Sequence, residues 1–164
     1  MAVSSGSVFP QAVNQSNIQT VMHSVVQSTN AITNGDATIF TVSGAPVLAK
    51  LIGIVSVALD GTSNATLKHT TVAPAATATL STTVAIDSAA AGTSIRFIGT
   101  STAKGVLTPL AAGAVMIDPV LTDDCWFLLP VGTTKITTTQ ARAGNIIWYM
   151  QYVPLSPDSV VTGG

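Results

Sequence analysis

Charged side chains are scarce in this sequence. Only 8% of its 164 residues are Asp, Glu, Lys or Arg, and six basic against seven acidic residues give a formal net charge of -1. Globular proteins usually carry about 25% charged residues. A chain this poor in cations lacks the basic patch that attracts DNA, RNA or an anionic membrane. We therefore expect neither a nucleic acid nor a membrane as a partner.

Cysteine is almost absent. The single residue, Cys125, excludes an intrachain disulfide and every zinc site that is built from several cysteines. Its apolar flank, with Trp126 beside it, favours a buried thiol over a nucleophile, which needs an electropositive setting. The sequence thus predicts a fold held by packing and hydrogen bonds.

Long apolar runs are also missing. The most apolar stretch, residues 45–59, is shorter than the roughly 18 to 20 residues that span a bilayer, and it contains Pro46 and Lys50. We predict a buried strand pair or one long bent strand there. Residues 1–6 show neither the basic nor the apolar segment of a signal peptide, so Sec-type export is not expected.

The abundant residues favour strands. Threonine, valine and isoleucine are frequent, glutamate is absent, and the apolar fraction is 47% with a mean hydropathy of +0.54. The length fits a single domain. Residues 1–20 follow neither the helical nor the strand period, which predicts an extended N-terminal arm that links one subunit to the next, with a frayed chain end as the alternative. Residues 21–164 are predicted to form one β-sandwich domain without internal repeats.

Strand signals recur every 8 to 15 residues or so between clusters of turn residues, as in antiparallel sandwiches and barrels. In residues 94–98, Ile95 and Phe97 should face inward and Arg96 outward. Both faces of 146–153 are largely apolar, which predicts a central strand or a subunit contact. The predicted strands are 18–26, 37–42, 47–59, 65–70, 79–86, 93–99, 114–117, 125–129, 135–139 and 146–153.

Candidate ligand loops fail when their spacing is compared with what the chemistry needs. In residues 99–105, Lys104 precedes the last glycine instead of following it, which predicts a polar surface loop and not a phosphate site. Residues 60–64 lack the alternating ligands and closing glutamate of a calcium loop, so Asp-Gly is predicted to form a hairpin turn. Adjacent Asp123 and Asp124 would point to opposite faces of a strand, and a solvated turn fits them better.

Catalytic and metal-binding sets are not recognisable either. His23 and His69 are more than forty residues apart, and neither has a partner at ligand spacing. The aspartates are scattered and offer no acid and base pair. We therefore expect no enzyme activity, no cofactor and no metal.

Two regions carry a family resemblance. Residues 37–44 (ATIFTVSG), 47–55 (VLAKLIGIV) and 64–68 (NATLK) resemble small virion proteins of tailed bacteriophages, and residues 144–156 (GNIIWYMQYVPLS) resemble the last strand and tail of the same group. The likeness covers about residues 37–68 and 144–162. Within that group, capsid decoration proteins, also called cement proteins, fit the size best.

The resemblance implies a β-sandwich or jelly roll that sits on the outside of the head, as a homotrimer, and braces the major capsid protein. It implies no catalysis and no cofactor. The protein would be made in the host bacterial cytoplasm and end on the capsid surface. A fibre, spike or other host-recognition module is the alternative, although exposed loop aromatics would be expected there. The residues predicted to contact other subunits or the capsid are Phe9, Trp148, Tyr149 and Tyr152.

Overall fold

The computed structural model describes residues 24–100, 103–110 and 126–164. The predicted arm at 1–20, the predicted strand at 114–117, and the residues Asp123, Asp124 and Cys125 lie outside these ranges. The described part contains strands and no helix, so no helix there could cross a membrane. The all-β prediction is confirmed.

Twelve strands form in the described residues, and all of their pairings are antiparallel. They are β1 (Ser24–Ile32), β2 (Gly35–Ser43), β3 (Val47–Val57), β4 (Asn64–Thr71), β5 (Ala76–Thr79), β6 (Val84–Ala85), β7 (Ser94–Thr100), β8 (Ala103–Leu110), β9 (Phe127–Leu129), β10 (Gly132–Thr138), β11 (Arg142–Pro154) and β12 (Val160–Gly163).

The strands divide into two sheets. Sheet A has the order β1-β11-β3-β7-β8, with β9 paired to the start of β3. Sheet B has the order β12-β2-β10-β4-β5, with β6 paired to β4. The first four strands alternate between the sheets, so the chain crosses the core three times before β5. Neither sheet can therefore form from one continuous piece of chain.

The core lies between the sheets because alternate side chains of each strand turn inward. Burial alternates residue by residue along β10 and along the first half of β3. Inward side chains of both sheets, among them Phe40, Leu67, Leu51 and Trp148, belong to one buried apolar cluster. The predicted β-sandwich is thus confirmed in its two-sheet architecture. Residues 47–57 form one long strand with only one face buried.

Three local predictions need correction. Residues 60–64 do not close a hairpin, because β3 lies in sheet A and β4 in sheet B. The predicted strand 79–86 is replaced by the short strands β5 and β6. The predicted surface loop at 99–105 falls largely within a β7–β8 hairpin, in which Thr100 pairs with Ala103.

The β3–β4 crossing is fixed by hydrogen bonds that replace hairpin pairing. Gly61 adopts a positive φ of 62°, a conformation that glycine reaches without strain. The Asp60 carboxylate accepts a hydrogen bond from the backbone N–H of Ala143 at 2.9 Å, and Arg142 Nε donates to the carbonyl of Thr62 at 2.8 Å. The start of β11 therefore holds this crossing in place.

Candidate interaction surface

The outer face of sheet A is unusually apolar. Directly paired residues of an antiparallel sheet point to the same side, and the pairs Ile147–Ile54, Tyr149–Ile52 and Val153–Leu48 all point away from the core. Leu48 is also paired with Leu128 of β9. We call this surface the aliphatic face; its residues are Val25, Leu48, Ile52, Ile54, Leu128, Ile147, Tyr149 and Val153.

Several of these side chains are open to solvent. The exposed fraction is 59% for Val25, 56% for Leu128, 37% for Ile54 and 36% for Ile52. Isolated exposed apolar residues are common, but a contiguous apolar patch on a soluble protein marks an interaction site. The outward pair Gln151–Lys50 divides the face into two adjoining apolar groups, a central one around Tyr149 and Ile52 and one at the end of the sheet around Val153 and Leu48. The aliphatic face is therefore the main candidate for protein contact in the described residues.

Cationic and aromatic groups lie beside the aliphatic side chains. The ammonium group of Lys50 lies 4.7 Å from the ring centroid of Trp126, a cation–π contact. Arg96 of β7 is the cross-strand neighbour of Ile52. The side chains of Lys50 and Arg96 are partly buried. Long side chains of this kind cover apolar surface with their methylene groups and carry the charge at the tip.

The outer face of sheet B has the opposite chemistry, and we call it the hydroxyl face. Its cross-strand row contains Thr41, Thr133, Thr70 and Thr77. The hydroxyls of Thr70 and Thr77 are 3.0 Å apart and hydrogen-bonded. Threonine combines a strand-favouring shape with a group that water can solvate. This face is suited to contact with solvent.

An ion pair lies on the hydroxyl face. Lys68 Nζ is 3.6 Å from the Asp36 carboxylate, which also accepts a hydrogen bond from the hydroxyl of Thr137. That hydrogen bond and the nearby lysines lower the pKa of Asp36. Such exposed pairs contribute little to stability. They do keep this face polar, in contrast to the aliphatic face.

The predicted contact residues separate into different environments. Tyr149 lies on the aliphatic face, and its side chain points away from the core. Trp148 is wholly buried, and Tyr152 is partly buried and packs against the core. The side chain of Trp148 therefore offers no surface to a partner, which corrects its assignment as a contact. Phe9 lies outside the described residues.

Sequence reasoning did not single out Ile52, Ile54 and Leu128 as surface residues. For Ile52 and Ile54 the signal is present in residues 47–55, where both alternating sets are apolar except for Lys50. That pattern predicts a buried strand pair or one long bent strand, and it does not predict an exposed apolar face. An apolar outward set also occurs when a strand face is covered by another protein, and the sequence alone does not separate these cases.

His69 is a buried polar residue on the inner side of sheet B. Its Nε2 lies 3.0 Å from the carbonyl of Pro130, and its Nδ1 lies 3.1 Å from the hydroxyl of Thr134. A carbonyl can only accept, so Nε2 carries the proton and Nδ1 accepts from Thr134. Burial lowers the pKa of His69 below its ordinary value, against a smaller opposing effect of the Pro130 hydrogen bond. The imidazole is thus held neutral.

Folding is expected to weaken in acid because of His69. Its pKa is lower in the folded than in the unfolded chain, so the unfolded chain binds more protons below about pH 6.5. This contribution to stability is present above that pH and is lost as the pH falls through the folded-state pKa. Urea unfolding at pH 8 and pH 5 measures the loss, and His69→Gln should reduce it. An equal loss in both proteins would contradict this role.

No other chemistry is apparent in residues 24–100, 103–110 and 126–164. No group of three His, Cys, Asp or Glu side chains in these ranges could hold a metal ion. A shallow depression between β11 and β12 is lined by Pro154, Leu155, Ser156 and Pro157, which carry no ionisable side chain. The two outer faces therefore remain as the basis for a functional argument.

Comparison of the chain with protein-family models, with curated proteins and with solved structures finds no match.

Proposed function

We propose that this chain is a non-enzymatic structural protein of a bacteriophage virion that binds the outside of the capsid and stabilises its lattice. The observation that supports the proposal best is the contrast between the two outer faces. One is aliphatic and suited to burial against protein, and the other is rich in hydroxyls and suited to water. The proposal includes a jelly-roll type of sandwich and a homotrimer, with the major capsid protein as partner.

The aliphatic face can supply binding energy without a specific ligand. Burial of apolar surface is the dominant favourable contribution to most protein association, and no single deep pocket is needed. A trimer would present three copies of the face to a repeating lattice. Once one copy binds, the others act at high effective concentration, so weak contacts add up to firm attachment. Low net charge favours the same behaviour, because it weakens repulsion between copies.

The two sheets of the described fold are firmly linked to each other, as a protein that stabilises a lattice requires. The first four strands alternate between the sheets, and crossings such as β3–β4 are fixed by hydrogen bonds from β11. A load applied to one sheet is therefore carried by the other. A fibre or spike module would be expected to present aromatic side chains on its loops. Among the described residues, the large exposed apolar side chains are aliphatic, and four of the eight lie on the aliphatic face.

The proposal is tested by adding the purified full chain to particles from which it has been removed. We expect it to bind the head at regular lattice positions and to raise the temperature at which the particles release DNA. Electron microscopy locates the bound protein, and a differential melting measurement gives the stabilisation. Binding to a fibre or tail tip, or no binding to particles, would contradict a role on the capsid.

A further inference from the structure

We propose that the aliphatic face of each copy receives the N-terminal segment of a neighbouring copy, residues 1–23, with Phe9 as its anchor among Ile52, Ile54 and Tyr149. This inference deepens the proposed function, since it assumes that copies assemble side by side. It does not require the capsid.

The first argument is where the segment joins the fold. β1 is an edge strand of sheet A, and its first residue, Ser24, pairs with Tyr152 near the end of β11. The next outward residues along this end of the sheet are Val153, Leu48 and Leu128. The segment thus meets the sandwich at the corner where the aliphatic face begins.

The second argument is direction. β1 is extended where it begins, and residues 18–23, directly before it, contain none of the turn formers glycine, proline, asparagine, aspartate and serine. A segment that covered its own face would have to leave the sheet for about six residues, or roughly 20 Å, and turn back at residues 14–17. A segment that continues outward reaches another copy instead. Twenty-three extended residues span at most about 76 Å, whereas a compact domain of this length is roughly 40 Å across.

The third argument is size. Four strands about 4.8 Å apart and about eight residues long cover roughly 20 by 26 Å, or about 500 Å². A standard interface buries about 800 Å² on each partner, so two such faces pressed together make a small contact. An extended segment of about eight residues matches the length of the face. It covers roughly half of the width and leaves the remainder for the lattice.

The fourth argument is the chemistry of the segment. Phe9 is the one aromatic residue in the sequence before Ser24, and it lies among spaced aliphatic residues that include Val8 and Val13. Aromatic side chains bury the most area per residue and dominate contacts of this kind. The centre of the face, where Tyr149 pairs with Ile52, offers an aliphatic and aromatic surface for such a ring.

Cross-linking between two differently labelled full-length chains tests the inference. Both carry Cys125→Ser, and circular dichroism first establishes that they are folded. One chain, labelled with nitrogen-15, also carries Val8→Cys, and the other carries Ile54→Cys on the aliphatic face. A matched partner carries Thr133→Cys on the hydroxyl face. The chains are mixed, treated with a short bismaleimide, and the linked species are identified by mass.

We expect the Val8 chain to link to the Ile54 chain at least tenfold more than to the Thr133 chain. Adding Phe9→Ala to the Val8 chain should lower that yield severalfold. Equal yields with the two partners, or no mixed product, would overturn the inference. So would predominant links between two Ile54 chains, or an intrachain link when Val8→Cys and Ile54→Cys occupy one chain. Because no particle is present, failure of capsid binding leaves this result unaffected.

Discussion

Replacement of Trp148 by alanine is expected to lower the free energy of unfolding by about 3 to 5 kcal/mol, the usual cost of deleting a buried large aromatic side chain. The indole is fully buried on the central strand β11. A domain of ordinary stability has about 5 to 15 kcal/mol in total, so the variant should be close to unfolding at physiological temperature. Urea unfolding at one fixed protein concentration measures the change.

The indole N–H of Trp148 allows the effect of ring packing to be separated from that of the buried donor. Nε1 of Trp148 is buried, and no acceptor in the described part of the chain lies within hydrogen-bond distance. An unpaired buried donor costs about 1 to 3 kcal/mol. Trp148→Phe removes the donor but keeps one aromatic ring, so its cost should fall well below that of Trp148→Ala. Equal costs for the two variants would show that ring packing is not what Trp148 contributes.

Gly53 provides a matched control for the same contact. It is the cross-strand partner of Trp148, and an added Cβ would lie 2.8 Å from Cζ3 and 2.9 Å from Cε3 of the indole. Gly53→Ala should therefore cost about 1 to 3 kcal/mol through overpacking. In the Trp148→Ala background the clash with the indole disappears and only a tight approach of 3.1 Å to Cγ2 of Ile146 remains, so the glycine substitution should cost much less. Additive costs would contradict the contact.

Much of the sandwich could be predicted from sequence because alternation is a local property. Residues 94–98 illustrate this: Ile95 is buried, and Arg96 lies on the opposite face of β7. Partner strands were not predictable in the same way. The Asp60-Gly61 turn follows a strand, as hairpin turns do, yet the next strand lies in the other sheet. Turn chemistry specifies a change of direction and leaves open which sheet receives the chain.

Sequence located the candidate surface only in part. Residues 146–153 were recognised as apolar on both faces, and β11 is indeed central in sheet A. The alternation of side chains along β11 places Trp148 and Tyr149 on opposite faces of the sheet, but it does not say which face lies in the core. The second sheet decides this, because it covers the face that carries Trp148. Ile52 and Ile54 then followed, because they pair with Tyr149 and Ile147 across the strands.

A charge on the aliphatic face is expected to weaken attachment to the capsid at least tenfold. Ile52 lies at the centre of this face with 36% of its surface exposed. A glutamate there would be solvated in the free protein, so the fold should tolerate it. On attachment, where the capsid or the N-terminal segment of a neighbouring copy covers this position, its carboxylate would lose water without gaining a matched partner, which costs more than the lost aliphatic contact alone.

Thr133→Glu places the same charge on the hydroxyl face, between Thr41 and Thr70. The most direct measurement is the occupancy of stripped particles as a function of added protein, for the natural chain, Ile52→Glu and Thr133→Glu, after equal thermal melting has been established. The account predicts at least a tenfold weaker binding for Ile52→Glu and a change of less than about twofold for Thr133→Glu. Equal binding by all three proteins, or weaker binding by Thr133→Glu alone, would contradict it.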